Sequence, residues 1–406
     1  MSTREHQGRL RVIVVVTAVI AAGGVATLPA IVTGIIYGEW DDTAALAGAL
    51  AVGAVIWFLG RQLRRTSVPF TSREGFAAVA ISWMVLIFFG TLPYLLAGTF
   101  EHPINALFET AAGFTTTGAT VLENPGELSH AMLIWRATTQ WVGGMGIIIL
   151  SIAVLPMLGA GGVELARAEA PGPEPERMTP RFRDTAERLW WLYVGLTVIE
   201  IFLLAVGDMN LFQAIAHGLT TTATGGFGTE ATSIGGFSPY TQWVIVGFML
   251  IAGTSFALHF RALTRPKVYM ESKEFIGYLS IIGIAILIVA VGSWSLGSGI
   301  ESRIRDAAFT GVTMVTGTGY ATVDWAAWAP GLLLALLVFM FLGGMAGSTA
   351  GAVMTYRLGL LFGTIGCSIW RIVYPKRVSV QLFGGNAVEP RLVVGVVAGC
   401  VLCVGW

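Results

Sequence analysis

Three short tails rich in threonine and glycine are the residues of this sequence best suited to chemistry. They read Thr116-Thr117-Gly118-Ala119, Ala223-Thr224-Gly225-Gly226 and Gly317-Thr318-Gly319-Tyr320, spaced by roughly 100 residues. Each lies toward the end of a stretch of moderate hydrophobicity too short to span a bilayer: residues 104–121, 211–228 and 305–322. Backbone carbonyls in such a tail can replace the hydration shell of a monovalent cation, as threonine- and glycine-containing loops do in K⁺ channels. Glycine lets successive carbonyls turn toward one axis and adds no side chain to obstruct it. The short helix ahead of each tail would aim its partially negative carboxyl end at the same point. The plainer reading of one tail is a surface turn or a small-residue helix contact; three copies in register point to a cation pore.

These tails need elements that hold irregular backbone at membrane depth. The 406 residues are 55% hydrophobic and only 12% charged, with 52 glycines. Soluble domains carry about 25% charge and about 7% glycine, so the chain buries apolar surface in lipid. Uncharged runs at 12–37, 43–60, 75–100, 137–163, 231–260, 275–300 and 325–356, with 189–207 broken only by Glu200, approach the length that crosses about 30 Å of hydrocarbon. The 24 basic and 24 acidic residues cancel, but they are segregated. Nearly all arginines and lysines fall in alternate connections, which the positive-inside rule places in the cytoplasm together with the amino terminus. The opposite connections are acidic and would concentrate cations at the mouth; Arg136, Arg303 and Arg305 are assigned there as the basic exceptions. The first apolar run is too long for a secretory signal and reads as a retained helix.

Other chemistries find little support. His6, His102, His130, His217 and His259 form no His-Glu-x-x-His array, and no phosphate-binding loop is present, so neither an enzyme nor a nucleotide site is expected on this chain. Cys367, Cys400 and Cys403 are too few for a disulfide framework and match no metal site. The neutral total argues against nucleic acid as a partner. His217 and His259 read as packed or interfacial. Glu109 would either support the first tail or be a solvated carboxylate at a helix start, and the solvated role is the one expected. Glu200 reads as lying near the outer interface. Arg357 faces a cavity or snorkels to the cytoplasmic surface.

The motifs together resemble those of the TrkH-type potassium uptake subunits of the bacterial Trk/Ktr/HKT superfamily. Besides the three tails, the resemblance rests on Trp135-Arg136, Gln140-Trp141-Val142-Gly143-Gly144-Met145-Gly146, Arg167-Ala168-Glu169-Ala170-Pro171-Gly172-Pro173, Phe256-Ala257-Leu258-His259-Phe260-Arg261 and Gly343-Gly344-Met345-Ala346-Gly347-Ser348-Thr349-Ala350-Gly351. It implies an all-α polytopic membrane protein, with pseudo-fourfold repeats of helix, re-entrant pore loop and helix around a central pore, preceded by an extra helix pair. The divisions are then 1–66 for the helix pair, 67–165, 166–262 and 263–378 for three repeats, and 379–406 for the start of a fourth. The resemblance further implies a homodimer in the bacterial cytoplasmic (inner) membrane. Its K⁺ filter would comprise Thr116, Thr117 and Gly118, Ala223, Thr224 and Gly225, and Gly317, Thr318 and Gly319. Glycine rather than serine at 118 fits K⁺ over Na⁺.

The same family likeness implies that Gly343, Gly344, Gly347, Ser348, Thr349 and Gly351 form an intramembrane gate loop, and that a TrkA-type regulatory subunit binding NAD and ATP or ADP acts on the inner loops. From composition alone, residues 343–351 are equally a close helix crossing. Met354 stands where a lysine is usual. No cofactor is expected on the chain; K⁺ is the transported ion. An H⁺- or Na⁺-coupled K⁺ symporter is the alternative within the transport class. A further alternative is a non-conducting fragment, because the fourth pore loop expected after Gly319 lies beyond Trp406. Residues 1–406 alone are therefore predicted not to move K⁺ efficiently; growth of a K⁺-uptake-deficient strain at low K⁺ on this segment alone would contradict that.

Overall fold

The computed structural model describes residues 3–62, 72–154, 178–294, 299–374, 382–383 and 386–387. Apolar runs that can satisfy their backbone only internally become helices, and the regular elements among the described residues are helices apart from a two-residue ladder, Leu382–Phe383 against Asn386–Ala387. In chain order the helices are α1 (Thr3–Val25), α2 (Leu28–Tyr37), α3 (Trp40–Arg61), α4 (Ser72–Gly90), α5 (Leu92–Ala97), α6 (Pro103–Phe114), α7 (His130–Val154), α8 (Met178–Val206), α9 (Leu211–Thr222), α10 (Pro239–Ala252), α11 (Phe256–Ala262), α12 (Val268–Glu271), α13 (Lys273–Gly292), α14 (Ile300–Thr316), α15 (Pro330–Leu342) and α16 (Thr355–Val373). Five segments among the described residues are long and apolar enough to cross a membrane: Val12–Tyr37, Trp40–Arg61, Ala77–Ala97, Asp184–Val206 and Lys273–Gly292. The chain is a multi-pass helical membrane protein. The linker motif at 167–173, Cys400, Cys403 and nearly all of 379–406 lie outside the described residues.

Two compact units emerge, Met1–Gly144 with Met209–Ser233, and Met145–Asp208 with Ile234–Trp406. They cut across the sequence repeats, because α9 and its tail belong with the first unit.

In the first unit, α1 and α2 make one span interrupted by a turn at residues 26–27; the Thr27 hydroxyl donates to Gly24 O at 2.7 Å. Gly38, left-handed at φ 75°, closes α2. Asp41 and Asp42 in the first turn of α3 and Arg61 in its last complement the helix dipole. Small residues let these helices approach closely, as membrane helices require. A Cβ on Gly53 would lie 3.3 Å from Gly24 Cα, Ile20 O and the Phe89 ring.

In the second unit, α13 packs on α14 and α10 on α14. Asp208 caps α10, accepting from Ser238 N and Oγ at 2.7 Å each and from Thr241 Oγ1 at 2.5 Å. Burial pushes the Asp208 carboxyl up, but these hydrogen bonds outweigh it and hold it below its ordinary value. One uncharged run does not form one helix: residues 231–260 break between α10 and α11 with a 97° bend. His259 pins the bend, its Nε2 donating to Ile251 O at 2.8 Å while Nδ1 accepts from the Tyr269 hydroxyl at 2.7 Å.

Replacing Gly53 with leucine is expected to lower stability by about 1–3 kcal/mol through overpacking. A lowered melting temperature of the purified protein in detergent would register it.

Candidate pore segments and intramembrane loop

The three tails leave their helices by the same backbone path. After α6, Thr116 N donates to Gly113 O at 2.9 Å and Thr117 N to Ala112 O at 3.0 Å. After α9 the equivalents are Thr224 N to Thr221 O and Gly225 N to Thr220 O, both 2.8 Å; after α14 they are Gly317 N to Met314 O at 3.3 Å and Thr318 N to Thr313 O at 3.1 Å. Left-handed residues recur at alternate positions: Thr116 at φ 53° and Gly118 at 73°, Thr224 at 51° and Gly226 at 81°, Gly317 at 71° and Gly319 at 85°. The backbone therefore matches Gly226, not Gly225, to Gly118 and Gly319, shifting the second tail by one residue from the register that its threonines and glycines suggest. A left-handed β-branched residue costs about 1–2 kcal/mol, so Thr116 and Thr224 hold strain that the surroundings must enforce.

The first tail is enforced by a buried charge pair. Glu109 is fully buried in α6, not solvated as expected, because Arg136 meets it. Arg136 lies well inside α7 rather than in an outer connection, and is 1% exposed. Its Nε donates to Glu109 Oε1 at 2.8 Å and its Nη2 lies 2.7 Å from the same oxygen. Glu109 also accepts from Thr120 Oγ1 at 2.9 Å and Val121 N at 3.1 Å, fastening the strand that descends from the first tail. Arg136 Nη1 donates to Gly228 O at 3.3 Å, and the guanidinium stacks 4.1 Å from the Phe227 ring centroid. The other two repeats use a similar fastening with different residues: His217 Nε2 is 3.2 Å from Thr229 Oγ1, and Thr322 Oγ1 donates to Asp306 Oδ1 at 3.3 Å.

One turn along α7, Gln140 is fully buried. Its Nε2 donates to Gly225 O at 2.7 Å and its Oε1 accepts from Phe227 N at 3.1 Å. A further turn on, Gly143 lies against the end of α6, where a Cβ would overlap the Phe114 carbonyl. Trp135 Nε1 donates to Gly90 O at 3.3 Å. The Trp-Arg and Gln-Trp-Val-Gly-Gly motifs thus form one helical face that seats the first two tails.

In the second unit, residues 343–354 interrupt what would be one helix between α15 and α16, and they answer the break between α10 and α11. Helix ends leave orphan carbonyls and N–H groups. Here Met345 N donates to Gly253 O at 2.9 Å, Thr349 N to Ala252 O at 3.3 Å, and Phe256 N to Gly347 O at 3.0 Å. Gly343 and Gly347 are left-handed at φ 68° and 76°. Ser348 Oγ donates to Met345 O at 2.7 Å, and Ala346 N to Glu274 Oε1 at 2.8 Å. Gly344 O accepts from Thr355 N at 2.9 Å, while Gly351 is exposed. Gly253 also lies against the carboxyl end of α14, since a Cβ on it would sit 3.0 Å from the Thr316 methyl.

Arg136, Gln140, Asp306 and Glu274 were not singled out in the sequence as site residues; the run of polar types before Val142 was the available signal. Glu200 is fully buried in α8, and Arg357 is exposed. His217 is fully buried.

Removing one member of a buried pair leaves an uncompensated charge at about 3–5 kcal/mol. Arg136→Met is therefore expected to destabilise by that order, and adding Glu109→Leu to recover part of the loss; denaturation of the single and double variants measures it.

A family model described as TrkH, cation transport protein, matches residues 42–283 and 282–406. The Trk system potassium uptake protein TrkH of Escherichia coli (strain K12) is 39% identical over 351 residues, 85% of this chain and 72% of that protein. TrkG of the same strain is 31% identical over 347 residues, 84% of this chain and 71% of that protein. The crystal structure of the potassium transporter TrkH from Vibrio parahaemolyticus is similar at a TM-score of 0.85 and 32% identity, covering 96% of this chain and 82% of that one. A chain matched along nearly all of its length by sequence and by fold, and carrying the three repeated tails, belongs to the TrkH family of cation transport proteins.

Proposed function

We propose that this protein takes K⁺ into the cell through a filter of backbone carbonyls. The filter segments are Thr116, Thr117 and Gly118; Ala223, Thr224, Gly225 and Gly226; and Gly317, Thr318 and Gly319. The carrying observation is the alternation of left-handed residues at the same two places of each tail. In an extended strand successive carbonyls point to opposite sides; a left-handed residue at every second position lets carbonyls of one tail turn toward a common side, as dehydrating a cation requires, while that of Gly225 accepts from Gln140 instead. Each tail continues from the carboxyl end of a short helix, whose partial negative charge favours a cation there. Relatives named as Trk system potassium uptake proteins support K⁺ as the ion.

Residues 343–351 act as the gate in this reading, since a non-helical segment at membrane depth is tolerated where it lines a water-filled path. The basic connections face the cytoplasm of a bacterial inner membrane, and the protein works as a homodimer with a TrkA-type nucleotide-binding subunit. The amino terminus is cytoplasmic.

The test is K⁺ uptake by cells stripped of their own uptake systems and expressing the complete gene. Saturable K⁺ uptake with strong preference over Na⁺ is expected. Gly118→Ser should cut that preference by about tenfold, the equivalent of about 1.4 kcal/mol at one site. Absence of saturable K⁺ uptake, or a Gly118→Ser protein with unaltered preference, would overturn the reading.

A further inference from the structure

We infer that Gln140 is a specificity-determining positioning residue, which turns the carbonyl of Gly225 out of the ion path and aims that of Gly226 into it. The inference rests on the filter reading above and assigns a role to a side chain outside the tails.

The argument follows from peptide planarity. In a trans peptide the C=O and the following N–H point in opposite directions. Gly225 O accepts from Gln140 Nε2, so that carbonyl points at α7. Phe227 N donates to Gln140 Oε1, so the carbonyl of Gly226, on the same peptide plane, points away from α7. Gly225 N donates to Thr220 O at the end of the pore helix, so the carbonyl of Thr224 also points away from that helix end. A single side-chain amide thus sets both peptide planes around Gly226, whose φ of 81° matches that of Gly118 and Gly319.

A carboxamide at this reach is suited to the task. It offers a donor and an acceptor side by side, at the spacing of a backbone C=O and the N–H two residues on. Gln140 is buried, so no water stands in for either partner. The seat is also shaped for it: a Cβ on Gly225 would overlap the Gln140 amide. With Gly225 O committed to α7, the second tail offers a cation the carbonyls of Thr224 and Gly226 but not that of Gly225. A variant lacking the donor frees Gly225 O to swing toward the ion and loosens Gly226, changing both the number and the spacing of the ligands that tell K⁺ from Na⁺.

Gln140→Glu keeps size and acceptor but removes the donor; Gln140→Leu removes both. Each would be compared with the parent and with Gly118→Ser in the same uptake assay, with membrane abundance measured by immunoblot. The expected result is a KM for K⁺ raised about tenfold and a matching loss of preference over Na⁺, the change that one well-made hydrogen bond of about 1.4 kcal/mol converts to, while Vmax per protein changes far less. Unchanged KM and preference in Gln140→Leu, or a fall in Vmax that merely tracks abundance in both variants, would overturn it. If the parent and Gly118→Ser behave as the filter reading requires while the Gln140 variants match the parent, only the role of Gln140 falls. A parent without saturable K⁺ uptake removes the filter reading and this inference together.

Discussion

A backbone N–H or C=O that leaves a helix inside a hydrocarbon layer has no water to pair with, and each one left unmet costs several kcal/mol. Nearly every unusual feature of this chain answers that constraint. Where α6, α9 and α14 stop short, the tails fold back on the last turn of each helix, and polar side chains take up what the backbone cannot. Glu109 serves Val121 N, and Gln140 serves Gly225 O and Phe227 N. Burying a carboxylate for this purpose brings a second requirement, a counter-charge, which Arg136 meets from α7. The polar groups of the first unit therefore form a chain of obligations, each partner present because another would otherwise be unmet.

The strained residues fit the same picture. Thr116 and Thr224 occupy left-handed backbone where the third repeat has Gly317. A threonine there is tolerated because its neighbours are held from several sides. Phe114 O lies against Gly143, and Gly225 lies against Gln140. The third repeat needs no such enforcement at that point, since glycine adopts the conformation without a Cβ penalty.

Much of this was legible in the sequence. The uncharged runs at 12–37, 43–60 and 75–100 correspond to spans Val12–Tyr37, Trp40–Arg61 and Ala77–Ala97, because apolar length is a direct physical requirement of the bilayer. The glycine-rich stretch at 343–351 is indeed an interruption between two helices. What escaped was whatever depends on a partner distant in the chain. Arg136 looked like a loop residue because a charge normally ends a span, and nothing local announces Glu109 as its mate. The break at Gly253 carries no charge or proline to mark it; its cause is the loop that answers it from residues 345–349. The register of the second tail is not legible in the sequence, because two adjacent glycines are equivalent as letters and only Gly226 takes a positive φ.

The reciprocal bonding of residues 343–354 with the α10–α11 break carries a consequence for any movement there. Shifting the loop alone would strip Ala252 O, Gly253 O and Phe256 N of their partners at once. Such a shift is affordable only if the broken helix travels with the loop or if water arrives to replace it. A displaced loop is accordingly a wetted loop, so hydration of this part of the protein and the position of residues 343–354 are a single coordinate rather than two.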